Sequence, residues 1–198
     1  LSDHFTCRRL IRFTLPSVVM MAFTSVYGVV DGFFVSNFAG KTPFAAVNFI
    51  MPFLMILGAI GFMFGTGGGA LIAISLGEKN GERANRLFSM FVYISALCGV
   101  AIAVLGFVFL RPIAALLGAD GQLLEDCVIY GRIILVALPA FILQCEFQSF
   151  FITAEKPQMG LWVTVAAGLT NMVLDALLVA VFRWGLVGAA LATAMSQV

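Results

Sequence analysis

Gly168-Leu169-Thr170-Asn171-Met172-Val173-Leu174-Asp175 puts an amide and a carboxylate four residues apart inside a long apolar run. On a helix that spacing stacks Asn171 and Asp175 on one face. A soluble protein has no need of so long an apolar run, and an ionisable group inside a membrane span is costly. The default reading of such a group is an ion site or a substrate pathway rather than packing, and the remainder of the chain reads as its housing.

Of the 198 residues, 62% are hydrophobic and 11% charged, with a mean hydropathy of +1.07. A soluble domain carries about 25% charged and about 45–50% apolar residues. Residues 45–75 and 87–110 hold almost no charge, and each run exceeds the roughly 20 residues needed to cross a bilayer. The composition specifies an all-α, multi-pass membrane protein, with the lipid bilayer as its first partner. A net charge of +1 offers nothing to nucleic acid. Cys7, Cys98, Cys127 and Cys145 lie scattered without C-x-x-C spacing, as small packing residues do. Basic residues precede the first apolar run, as in a signal peptide, but that run continues to about Phe38, too long for a signal h-region.

Six spans are predicted, at about residues 12–37, 43–76, 86–110, 128–153 and 159–182, with a sixth from about 186 that is cut short. Pro52 is a candidate kink in the second, and Pro139 lies inside the fourth. Arg111-Pro112 is expected to stop the third, leaving residues 112–126 as an amphipathic connector. Glu155-Lys156-Pro157 reads as a tight turn. Arg8, Arg9, Arg12, Lys79, Arg83, Arg86 and Lys156 fall at one set of span ends, and the smaller group Lys41, Arg111, Arg183 and Arg132 at the other. The positive-inside rule then places the N-terminus in the cytoplasm of a cell whose plasma membrane holds the protein. In that orientation Asp31, Asp175 and Thr193 all fall roughly 10 Å below the outer boundary, at about 1.5 Å per residue, with Asn171 one turn deeper.

Asp31 sits in Tyr27-Gly28-Val29-Val30-Asp31-Gly32, with Tyr27 on its face and two glycines that allow close approach. A pair of such carboxyls suits reversible proton binding, or a sodium ion held by carboxylate, amide and hydroxyl oxygens. The plainer alternative is an aspartate that snorkels to the interface or is satisfied by a neighbouring helix. Glu146, flanked by Gln144 and Gln148 about two turns from the end of span four, either lines the cytoplasmic mouth of a cavity or reaches the headgroups. Arg132 snorkels, or pairs with Glu125, Asp126 or lipid phosphate. Gly65-Thr66-Gly67-Gly68-Gly69-Ala70 lacks the Lys-Ser/Thr ending of a phosphate loop and is expected to let helices touch or bend, as are Gly185, Gly188, Ala189 and Ala192. The nine methionines and twenty phenylalanines serve lipid contact and core packing, with some available to line an adaptable apolar pocket. His4, alone near a terminus, is assigned no role.

Taken together, Val29-Val30-Asp31-Gly32, the run from Gly65 to Gly77, Asn171-Met172-Val173-Leu174-Asp175 and Trp184-Gly185-Leu186-Val187-Gly188-Ala189-Ala190-Leu191-Ala192-Thr193 resemble the multidrug and toxic compound extrusion (MATE) transporters. The resemblance covers nearly the whole chain. It implies the N-terminal six-span lobe of a twelve-span, two-lobe transporter, lacking most of span six and the C-terminal lobe, which would be its partner. It implies no enzymatic activity and no cofactor, but export of small organic, often cationic, compounds in exchange for protons or sodium ions. By resemblance the ion-coupling residues are Asp31, Asn171, Asp175 and Thr193, with Tyr27, Gln144 and Glu146 as cavity candidates and Pro16 at a helix bend. Ala176 departs from the family, where many members have proline, and is expected to stiffen span five.

Two other readings compete. A flippase of lipid-linked saccharides or a polysaccharide exporter of the same superfamily would place basic residues in its cavity for pyrophosphate, whereas the buried charges here are acidic. An intramembrane aspartyl protease would carry Tyr-Asp and Gly-x-Gly-Asp, whereas this chain has Val30-Asp31 and Leu174-Asp175.

Overall fold

The computed structural model describes residues 7–197, with the side chains of residues 7–10, 12 and 13 left outside the description. The expectations for His4 and for the side chains of Cys7, Arg8, Arg9 and Arg12 therefore lie outside the described residues. Six helices follow in order: α1 (Cys7–Phe34), α2 (Lys41–Gly77), α3 (Gly81–Leu116), α4 (Gly121–Thr153), α5 (Pro157–Asp175) and α6 (Gly185–Ser196). The first five, with their π-helical extensions, are long and apolar enough to cross a membrane, while α6 as described spans 12 residues. Two helices change register at their ends: α1 continues as a π-helical segment, Val35–Ala39, and α5 as another, Ala176–Val181.

The helices fall into two groups. α2, α3 and α4 pack on one another, and α1 pairs with α5 while α6 bridges α4 and α5. α4 is the central element, since half of its apolar window is buried against 11% for the first span. The glycine run of α2 provides the contact. A Cβ at Gly61 would lie 2.6 Å from the Ile142 carbonyl oxygen, and one at Gly65 3.0 Å from the Glu146 Cα. Gly68 faces Phe91 of α3, and Gly69 faces Thr153 of α4. The run is a helix-contact surface, as expected of small residues in a span. Gly188 plays the same part in α6, against Leu178. Gly185 does not, because it has open space around it and a φ of +55°, so it turns the chain.

The expected stop at Pro112 is not observed. α3 runs through it to Leu116, and the connector shrinks to residues 117–120. A proline removes one backbone bond, but Leu110 and Ala114, on either side of it, are fully buried, and that packing holds the last turn in helical form. The helix ends only at Gly118, where a φ of +103° is accompanied by bonds from the Gly118 amide to the Ala115 carbonyl and from the Ala119 amide to the Ala114 carbonyl. That is a Schellman cap. The same bond pattern closes α2 around Lys79 and α4 around Glu155, both at positive φ without being glycine. α2 likewise runs unbroken through Pro52, α1 through Pro16 and α4 through Pro139.

Candidate functional site

α1 and α5 meet at a glycine. Phe23 and Tyr27 of α1 cover Gly168, where a Cβ would lie 3.2 Å from the Tyr27 ring. One turn beyond Tyr27 stands Asp31, and one and two turns beyond Gly168 stand Asn171 and Asp175. The helix contact therefore sets the register of the acids. The Asp31 and Asp175 carboxyls lie within hydrogen-bonding reach of each other. Asp175 is 0% exposed, Asn171 is 2% exposed, and Asp31 is half-buried.

Asp31 Oδ1, both carboxyl oxygens of Asp175 and Asn171 Oδ1 are buried without a hydrogen-bond donor. As two carboxylates, neither aspartate offers the other a hydrogen, and facing like charges repel. One proton between them, or one cation among these oxygens, removes the repulsion and completes the bond.

Thr193 of α6 comes to the same place through a residue the sequence reading did not single out. Tyr130 of α4, 1% exposed, lies beside Thr193 and close to both aspartates. With α4 beginning at Gly121 rather than near residue 128, Tyr130 stands more than two turns inside its helix instead of at its edge. A tyrosine within an apolar run was the available signal, and the misplaced connector concealed it. Four helices thus supply the cluster: Asp31 from α1, Tyr130 from α4, Asn171 and Asp175 from α5, and Thr193 from α6.

The backbone beside both acids is irregular. Asp175 is the last α-helical residue before the π segment at Ala176, and Asp31 lies one turn before the π segment at Val35. Val35 and Val179, one from each segment, are buried in the same apolar cluster. π turns inside helices are frequent at functional positions. At Ala176 the structure has this change of register in place of a regular α-helix, and the Ala176 amide bonds the Met172 and Val173 carbonyls.

The remaining sequence candidates separate. Tyr27 and Gln144 are half-buried, and the Gln144 side-chain oxygen has no donor. Glu146, expected at a cavity mouth or among headgroups, is instead 0% exposed and hydrogen-bonded to Ser95 of α3. Its place against the glycine face of α2 closes off open space. Arg132 reaches no acid within the described residues. It lies 5.0 Å over the Phe107 ring, while Glu125 pairs with Arg111 at 2.6 Å. Every described lysine and arginine is exposed. Among the described residues no group of three or more His, Cys, Asp or Glu gathers as a metal site.

A family model described as MatE matches residues 16–177. The multidrug export protein MepA of Staphylococcus haemolyticus is 29% identical over 190 residues, covering 96% of this chain and 42% of that protein. MepA of Staphylococcus aureus is 27% identical over 191 residues with the same coverage. An outward-facing multidrug resistance MATE family transporter of the MOP superfamily shares the fold with a TM-score of 0.89 at 24% identity, over 94% of this chain and 41% of that one. The chain thus spans about 42% of the length of the curated relatives it matches.

Proposed function

The chain belongs to the MATE family, a family of transporters rather than enzymes, and we propose that it forms the N-terminal lobe of a cation-coupled antiporter exporting organic, often cationic, compounds. The observation that carries this reading is the Asp31–Asp175 pair, buried without donors and ringed by Asn171, Tyr130 and Thr193. In this role the pair binds the coupling ion from outside, and binding favours one conformer of the transporter over the other, which is all that coupling requires. Protons are the preferred ion, because two facing carboxyls suffice to hold one. Sodium would use the oxygens of Asp31, Asn171, Asp175 and Thr193 together.

The multi-pass chain would sit in the plasma membrane with its N-terminus in the cytoplasm. Lys79, Arg83, Arg86 and Lys156 would face inward, and Tyr27 and Gln144 would border the substrate path. A second lobe would complete alternating access, which needs two halves rocking about a site. The saccharide-flippase alternative loses ground because no described cation is buried.

The test is uptake of a fluorescent cationic dye by the transporter that contains this lobe, in proteoliposomes under separately imposed proton and sodium gradients. Gradient-driven uptake that disappears in both Asp31→Asn and Asp175→Asn, with folding retained, supports the reading and identifies the ion. Undiminished uptake in both variants overturns it.

A further inference from the structure

A second buried acid lies outside the aspartate cluster and has no part in the coupling scheme. Glu146 stands sixteen residues beyond Tyr130 on α4, about 24 Å along the helix at 1.5 Å per residue. It is wedged among α2, α3 and α4. Its Oε2 is hydrogen-bonded to Ser95 Oγ, its Oε1 is buried without a donor, and both residues are 0% exposed.

The hydrogens can be counted. A serine hydroxyl has one hydrogen to give and two lone pairs to accept with. Ser95 Oγ lies 2.9 Å from the Phe91 carbonyl oxygen and 3.2 Å from that of Val92. Serines and threonines in apolar helices commonly return their hydrogen to the i−4 carbonyl, and Thr24, Thr66, Ser75 and Thr170 all do so in this protein. If Ser95 gives its hydrogen to Phe91, the hydrogen in the Ser95–Glu146 bond must come from Glu146. If Ser95 instead gives it to Glu146, the backbone contact is forfeited. A carboxylate is then left buried with one oxygen unpaired.

No neighbouring element offers a cation to hold such a carboxylate. α2 carries no titratable side chain between Lys41 and Glu78, α5 carries none before Asp175, and α6 carries none from Gly185 to Ser196. α3 brings Cys98 and an exposed Tyr93, with Arg86 exposed more than two turns before Ser95. From α1, Tyr27 approaches Cys145, the residue before Glu146 on α4. The backbones around it are also closely packed. A Cβ at Gly65 would lie 3.0 Å from the Glu146 Cα, and one at Gly99 of α3 would lie 3.0 Å from the Pro139 Cα.

We infer that Glu146 is a second proton-binding site of the lobe, separate from the aspartate pair, that donates its hydrogen to Ser95 while Ser95 donates to the Phe91 carbonyl. The proton is exchanged with solvent only when α2 or α3 parts from α4, so occupancy of this site is tied to closure of that three-helix group. The inference stands independently of the transport reading.

Infrared difference spectroscopy of the protein in lipid nanodiscs, titrated with pH, reads the site directly through the carbonyl stretch of a protonated carboxylic acid. The expected result is a band at neutral pH that survives Asp31→Asn and Asp175→Asn but is lost in Glu146→Gln. Ser95→Ala, which leaves Glu146 in place, should move that band to higher frequency as the hydrogen bond is lost. A neutral-pH spectrum unchanged in this region by both Glu146→Gln and Ser95→Ala overturns the inference. So does a band abolished by adding sodium at constant pH, which would make the site one for a metal cation.

Discussion

Two of the places where the lobe buries acids treat them differently. The aspartate pair lies where α1, α4, α5 and α6 converge, with polar partners from each, π turns alongside, and α1 mostly exposed. Glu146 lies where α2, α3 and α4 are pressed together by glycines, with a single serine for company. An acid with several polar partners and a half-open wall is placed to take up and release an ion. An acid sealed by backbone-to-backbone contact is placed to keep what it holds until the contact opens.

The largest effect that would separate the two regions is functional. Asp175→Asn removes the exchangeable carboxyl while keeping its shape, so gradient-driven transport should fall at least about tenfold, equivalent to roughly 1.4 kcal/mol. Thermal stability should hold, since the amide relieves a like-charge pair. Transport and melting temperature measured on the same preparation check this. A joint loss of both would move Asp175 from the coupling site to the core.

Next in size is a stability contrast between glycines. At Gly65 a methyl group meets Glu146 and Ser149 of α4, whereas at Gly28 on α1 it meets nothing within 4 Å. Gly65→Ala should cost about 1–3 kcal/mol by overpacking. Gly28→Ala should be neutral or gain up to about 1 kcal/mol from helix propensity. Denaturation in detergent of the two variants side by side gives the comparison, and equal losses would erase the distinction between a sealed region and an open one.

A smaller effect is expected at Tyr130. Tyr130→Phe deletes one hydroxyl from the aspartate cluster and leaves the ring, for a stability change of about 1 kcal/mol. Its diagnostic readout is transport as a function of pH. A hydroxyl that helps hold the ion changes the profile's midpoint, whereas one that only packs lowers the whole profile without moving it.

Which of these residues were visible in the sequence follows from what burial costs. Asp31, Asn171, Asp175 and Thr193 stood out because a carboxylate in an apolar run demands an explanation, with the hydroxyl at matching depth and the amide one turn deeper. Tyr130 and Ser95 did not stand out, because tyrosine and serine cost little in a membrane helix, where serine returns its hydrogen to its own backbone. The spans were legible from hydropathy. The length of α3 was not, because the rule that proline ends a helix was outweighed by the burial of Leu110 and Ala114, a tertiary effect. The π segments carry no residue signature at all, since Ala176-Leu177-Leu178-Val179-Ala180-Val181 would serve equally in an α-helix. Glu146 was legible as an acid but not in its placement, which depends on which face of α4 the α2 glycines select.

The smallest effect at low pH, and the one that grows, belongs to Glu146→Gln. A glutamine amide can donate to Ser95 Oγ as the protonated acid does, so the variant should match wild type in acid. In the inferred state the folded protein holds a proton on Glu146 at neutral pH, where a water-exposed glutamate of the unfolded chain is ionised. Folded protein then binds more protons than unfolded, and by linkage the wild-type stability falls as pH rises. Glu146→Gln removes that slope, so the two melting curves should coincide at the acid end and diverge toward the alkaline end, with the variant the more stable. The same comparison made with Asp31→Asn should leave the Glu146 contribution to the slope intact. Parallel slopes in wild type and Glu146→Gln would mean that Glu146 is already ionised in the fold, and the sealed region would then hold a charge rather than a proton.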